Sequence, residues 1–121
     1  MTRAAAKPDV STAKFAGRVV VRAAGETIAD SHDAIVLHED GYEPVFYLPK
    51  GDVRMDLLEP TDHSTRCLHK GMARYWSIRA GGRTIENAAW AYDEPLPGVR
   101  EIAGHLAFYP DRVDAIEASG L

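Results

Sequence analysis

The segment Thr65-Arg66-Cys67-Leu68-His69-Lys70-Gly71 gathers a thiol, an imidazole and two permanent cations. A thiol beside a positive charge gives up its proton more readily, because the cation stabilises the thiolate. Were the segment extended, Cys67 and His69 would share one face and Leu68 and Lys70 the other. Cys67 is therefore a candidate catalytic nucleophile or redox thiol, and Lys70 a candidate holder of an anionic group. The commoner role of a free cysteine is a small buried hydrophobe, and the sequence leaves both roles open. A second stretch runs Asn87-Ala88-Ala89-Trp90-Ala91-Tyr92-Asp93-Glu94-Pro95. In a strand Trp90 and Tyr92 share a face and could wall an aromatic pocket, with Asn87 adding a directional polar contact. The plainer arrangement puts Trp90 in the core and Tyr92 at its rim. Asp52, after Gly51, is a helix-cap candidate and a candidate ligand-binding carboxylate.

His63, Cys67 and His69 are potential metal ligands, and His32 or His105 could complete a tetrahedron. Their spacing fits no standard zinc pattern, so the expectation is that no metal is needed for folding. Asp30 and Ser31 suit a turn, where short polar side chains bond the local backbone. The chain contains no phosphate-binding glycine loop, no dinucleotide fingerprint and no serine nucleophile elbow. It points to no particular cofactor.

The elements that must position these residues read as short strands between Gly, Pro and Asp turns. Val19-Val20-Val21, Ala34 to Leu37, Val45 to Leu48, Met72 to Ile78, the return from Thr84-Ile85, Leu106 to Tyr109 and Val113 to Ile116 are the strand candidates. Gly81-Gly82 marks a hairpin turn. Asp52 to Leu58 has the spacing of a helix of about two turns, and Pro97 to Ile102 that of a single turn. Residues 1–14 are small and polar and read as a flexible arm, leaving 15–121 as a single domain.

Hydrophobic residues make up 45% of the 121 and charged residues 26%, an ordinary globular balance. The formal net charge of −4 gives no electrostatic footprint for nucleic acid. One cysteine excludes an intrachain disulfide and a four-cysteine zinc site. It is easiest to keep reduced in the cytosol. No apolar stretch is long enough to cross a membrane, and the N-terminus lacks the apolar core of a secretory signal. The expectation is a soluble, cytoplasmic protein, a monomer or weak homodimer, with a small molecule as partner and neither nucleic acid nor membrane.

Gly25 to Ser31, Glu39 to Pro49 followed by Asp52-Val53, Thr65 to Gly71 with Ala73 and Tyr75, Asn87 to Pro95, and Ile102 to Tyr109 follow in an order that resembles a known family. It is the one filed as domain of unknown function 427, also labelled nucleotidyltransferase-like. The likeness runs from Arg18 to Asp114. It implies a mostly β fold, an antiparallel two-sheet β-tent (Mss4-like) with one or two short helices, shared with methionine-R-sulfoxide reductases. Many β-tent proteins hold zinc on paired CxxC motifs, which this chain lacks. Asp52, Cys67, Lys70, Gly71, Trp90 and Tyr92 match the family pattern. The family's usual Cys-Pro-Tyr-Lys-Gly departs here to Cys67-Leu68-His69-Lys70-Gly71. The nucleotidyltransferase label finds no cluster of carboxylates to hold a divalent metal.

Two functions remain open at this point. One is a small-molecule binding protein or enzyme, with Asp52, Cys67, Lys70, Asn87, Trp90 and Tyr92 around one cleft. The other is a non-catalytic protein-interaction domain, in which the same residues are core and rim.

Overall fold

A computed structural model describes residues 10–120. They form ten strands: β1 Val10–Lys14, β2 Gly17–Ala23, β3 Glu26–Ser31, β4 Ile35–Glu39, β5 Val45–Pro49, β6 Leu58–Cys67, β7 Gly71–Ala80, β8 Arg83–Ala91, β9 His105–Phe108 and β10 Ala115–Gly120. Seven of them make an antiparallel sheet in the order β1-β4-β5-β9-β8-β7-β6, and three a second sheet in the order β10-β2-β3. The mostly β, two-sheet expectation holds. Among the described residues no helix is long and apolar enough to cross a membrane.

Period-two alternation divides the side chains of the middle strands between two cores. Trp76, Ile78, Ala89, Ala91, Leu106 and Phe108 pack with Val19, Val21, Ala23 and Ile28 of the small sheet. Their strand neighbours Ala73, Tyr75, Tyr92 and Ala107 pack instead with Leu37, Tyr47, Val99 and Ile102. Strands buried on both faces need apolar residues at successive positions, which is why these segments stand out in the sequence.

Three sequence expectations are revised. Val10–Lys14 is not part of a free arm: it pairs in register with β4, from Val10↔Glu39 to Lys14↔Ile35, and Thr12 Oγ1 donates to Glu101 at 3.0 Å. Residues 1–9 of the expected arm lie outside the described residues.

The helix of about two turns over Asp52 to Leu58 does not form. Lys50–Asp52 and Met55–Leu57 are separate 3-10 turns. Between them Val53 is extended and bridges Ala29, and the Arg54 N–H donates to the Ile28 carbonyl at 2.7 Å. Tying this backbone to β3 overrides its helical spacing. The turn over Pro97–Ile102 does form, as a 3-10 segment with proline at its start.

The third revision is β6, a ten-residue strand that carries no apolar alternation. It is an edge strand, exposed along most of its length, and Pro60 sits within it. Edge positions tolerate proline and polar side chains because only one backbone side is paired.

Candidate functional site

The turn that joins β6 to β7 closes where Cys67 pairs Gly71. The Lys70 N–H donates to the Cys67 carbonyl at 3.3 Å, and Gly71 takes φ +113, a backbone setting that favours glycine. Leu68, His69 and Lys70 therefore lie on a turn rather than a strand, and Cys67 and His69 do not share a strand face. The Lys70 ammonium crosses to β4 and donates to Glu39 at 2.8 Å, with the two side chains only 12% and 19% exposed. On the other side of β7, Tyr75 pairs Trp90 of β8.

This pairing brings Cys67, Lys70, Trp90 and Tyr92 to one cavity of about 380 Å³, together with Leu37, Glu39, Tyr42, Glu43, Val45, Tyr47, Tyr75 and Tyr109. All five tyrosines of the chain line it. The Trp90 indole N–H donates to the Tyr47 hydroxyl at 3.2 Å, and the two rings stand at 89°. Trp90 packs on Tyr109 with ring centres 4.5 Å apart and tilted by 42°. The hydroxyls of Thr65 and Tyr75 lie 2.9 Å apart, and those of Tyr75 and Tyr109 3.3 Å apart, a chain that leads from the exposed edge strand to the cavity wall. Burial holds the Tyr47 and Tyr92 phenols well above the ordinary tyrosine pKa. Burial, and then the bond to Tyr75, push Tyr109 up to about 12. Tyr47, Tyr92 and Tyr109 are therefore neutral phenols across the physiological range.

Cys67 is partly buried. It also lines a second pocket, of about 600 Å³, with Leu68, Met72 and Leu96. Lys70 is less available to an anion than its sequence context suggests, since Glu39 already neutralises it.

Two of the candidate residues lie elsewhere. Asp52 is neither a helix cap nor a wall of this cavity: it accepts a 2.7 Å hydrogen bond from Ser31 Oγ and borders a separate depression with Thr27, Asp30 and Arg54. Ser31 Oγ in turn accepts the Asp33 N–H at 2.9 Å, the local turn bonding anticipated for this residue. Asp30 instead lies within β3 and takes both arms of Arg18, at 2.8 and 2.7 Å.

Asn87 also points away from the cavity. Its φ of +48 sets it in a bulge of β8, where one residue of β7 faces three of β8 between the pairs Trp76↔Ala89 and Ile78↔Ile85. The Asn87 N–H donates to Ser77 Oγ at 3.1 Å, and its side-chain oxygen accepts from Thr61 at 2.7 Å. A polar residue that tolerates positive φ is what such a bulge requires, so Asn87 sets the register of Trp90.

The histidines do not assemble a metal site: His63 packs on Tyr75 with ring centres 4.5 Å apart and tilted by 59°, and His69 borders another depression with Val10 and Tyr42. No group of three or more His, Cys, Asp or Glu suited to a metal occurs among the described residues.

Residues 11–119 match the model of the family described as Domain of unknown function (DUF427). The chain belongs to that family. No curated protein sequence matches it. In this DUF427 domain Tyr42, Tyr47, Tyr75, Tyr109, Glu39 and Glu43 join the cavity; they lie in segments that carry the family resemblance, but nothing in their local sequence marks them as site residues. Each reads singly as an ordinary strand or turn residue, and only strand pairing gathers them.

Proposed function

We propose that the DUF427 domain binds a small molecule in the tyrosine-lined cavity between β4, β5 and the β7–β9 strands. The observation that supports this most is the gathering of all five tyrosines with Trp90 around a space of about 380 Å³. Small-molecule sites are concave and mostly apolar, with a few polar groups to orient the ligand. Here Glu39, Glu43, Lys70 and the phenols are those groups. The β-tent reading of the two sheets and a cytoplasmic location belong to the same proposal.

The test is a thermal-shift screen of a chemically broad library against the wild type and Trp90→Ala. A ligand at about 100 times its Kd stabilises by roughly 2.7 kcal/mol, a readable shift. The expected result is at least one compound class that stabilises the wild type and not Trp90→Ala. A library without a hit, or hits indifferent to Trp90, would overturn the reading. Cys67 is the candidate nucleophile of an enzymatic version. Ligand that slows its alkylation by iodoacetamide supports a place for the thiol in the site, and unchanged alkylation removes it.

A second reading, a protein-interaction domain, draws on a different face. Leu68 is 82% exposed and Met72 54%, unusual for large apolar side chains, and both border the depression beyond Cys67. The partner proposed for that face is a second copy of this chain in a weak homodimer. Sedimentation at rising concentration tests it: a dimer lost in Leu68→Ser supports this reading, and a monomer throughout removes it.

A further inference from the structure

Among the described residues lining the cavity, three are of charged type: Glu39, Glu43 and Lys70. Lys70 and Glu39 neutralise each other across 2.8 Å. Glu43 is left with no ion pair to a described residue, so the described lining of the cavity carries one net negative charge. Its walls add to this, because the face of an aromatic ring is the negative side of its quadrupole.

Tyr75 and Tyr109 are nearly parallel, at 11°, but the rings around Trp90 do not form a slot for a flat molecule. Tyr47 stands at 89° to Trp90, and Trp90 is tilted by 42° from Tyr109. Rings set at such angles suit a compact group better than a single flat one. Tyr109 already has the Arg112 guanidinium 4.6 Å from its ring centre, held by the carbonyl of Asn87 at 2.8 Å. Tyr47, Trp90 and Tyr92 remain for a ligand. Tyr92 adds a second observation. It is only 5% exposed, yet its hydroxyl bonds no described residue and is not sealed from the cavity. Among the described residues it has no hydrogen-bond partner, and it belongs to a residue that lines the space.

We infer that the cavity of the DUF427 domain takes an organic ammonium group, seated among Tyr47, Trp90 and Tyr92 with Glu43 at its mouth. This rests on the small-molecule reading and deepens it. It also reverses the role first given to Lys70, which holds Glu39 in place instead of an anion. A cation gains from the ring faces and from the Glu43 carboxylate, and burial among the rings strengthens the first of these attractions. An anion meets Glu43 and finds Lys70 occupied.

The experiment uses calorimetry and tryptophan fluorescence on the whole chain, with four probes. Choline and tetramethylammonium carry the charge, 3,3-dimethylbutan-1-ol is the uncharged match to choline, and phosphate is the anion. The expected result is choline binding roughly tenfold tighter than its uncharged match, with no binding of phosphate. Glu43→Gln, at an exposed position, should weaken choline roughly fivefold and leave the neutral alcohol unchanged. Tyr92→Phe should weaken choline less than Trp90→Ala does. Equal binding of choline and the alcohol, or binding of phosphate, overturns the ammonium assignment and leaves the small-molecule reading standing. Hits in the broad screen without binding of either ammonium probe do the same. A cavity that binds nothing in the screen and none of the probes removes both.

Discussion

At the scale of single residues, the pair Lys70–Glu39 matters most. The 2.8 Å bond joins side chains that are mostly shielded from water. Such a pair is weak as a source of net stability, yet removing one partner leaves the other charge without compensation. Lys70→Met should therefore cost about 1–3 kcal/mol in urea unfolding. The double variant Lys70→Met with Glu39→Gln should recover much of that loss. A Lys70→Met protein as stable as the wild type would show the pair to be a solvated contact. The buried phenols give a second expectation, with its sign set by their pKa. Unfolded tyrosines titrate near 10.0, whereas burial raises Tyr47 and Tyr92 and pushes Tyr109 up to about 12. Between those values the unfolded chain has lost protons that the folded chain keeps. Stability that is fully present below pH 10 should then fall as pH rises through the folded values. A spectrophotometric titration checks it: phenolate absorbance of these tyrosines should appear together with unfolding. Full ionisation near pH 10 with the fold intact would contradict it.

Among the elements, β8 decides where the aromatic wall stands. Its bulge places three residues opposite Ser77, and the pleat beyond it directs Trp90 and Tyr92 to the cavity while Ala89 and Ala91 join the other core. A single-residue slip would exchange the two sets. Asn87 holds the bulge at φ +48. Asn87→Val puts a β-branched side chain in that setting and also deletes the bond from Thr61, for an expected cost of about 1–3 kcal/mol. Asn87→Gly loses the same bond from Thr61 but relieves the backbone, and should fall within about 1 kcal/mol of the wild type. Chemical denaturation of the three proteins reads the difference, and a valine variant of undiminished stability would refute the role given to the bulge. The facing strand β7 is pinned nearby, where Arg74 lies 4.6 Å and Lys50 5.3 Å from the Trp76 ring centre and both also reach Asp93.

For the whole molecule, the two edges of the large sheet bear on the cavity. At one edge β1 pairs β4, which carries Glu39. At the other β6 ends at Cys67. Removing residues 1–14 should consequently lower stability by at least about 1 kcal/mol, the net worth of a single backbone hydrogen bond. It should also weaken whatever ligand the cavity takes. Unfolding curves identical to those of the full chain would return Val10–Lys14 to the status of a dispensable arm.

The amino-acid sequence by itself determined the parts of this protein that depend on local chemistry. The β-branched run at Val19–Val21, the Gly81-Gly82 turn and the apolar strand at Leu106–Phe108 are legible because burial on both faces or a positive φ restricts residue type. The family motifs around Cys67 and Trp90 are legible for the same reason, since a turn glycine and a large ring leave fixed marks. Strands β1 and β6 were not legible, because an edge strand needs few apolar side chains and its pairing partner lies far along the chain. Nor was the helical spacing of Asp52 to Leu58 a safe guide, once Val53 bridged Ala29. Only the tertiary structure decided that Lys70 meets Glu39, that Asp52 and Asn87 stand apart, and that five tyrosines from Tyr42 to Tyr109 share one cavity. The physical reason is register: which side chains meet across a sheet is set by non-local backbone pairing and the pleat, and neither is written in the residues beside them.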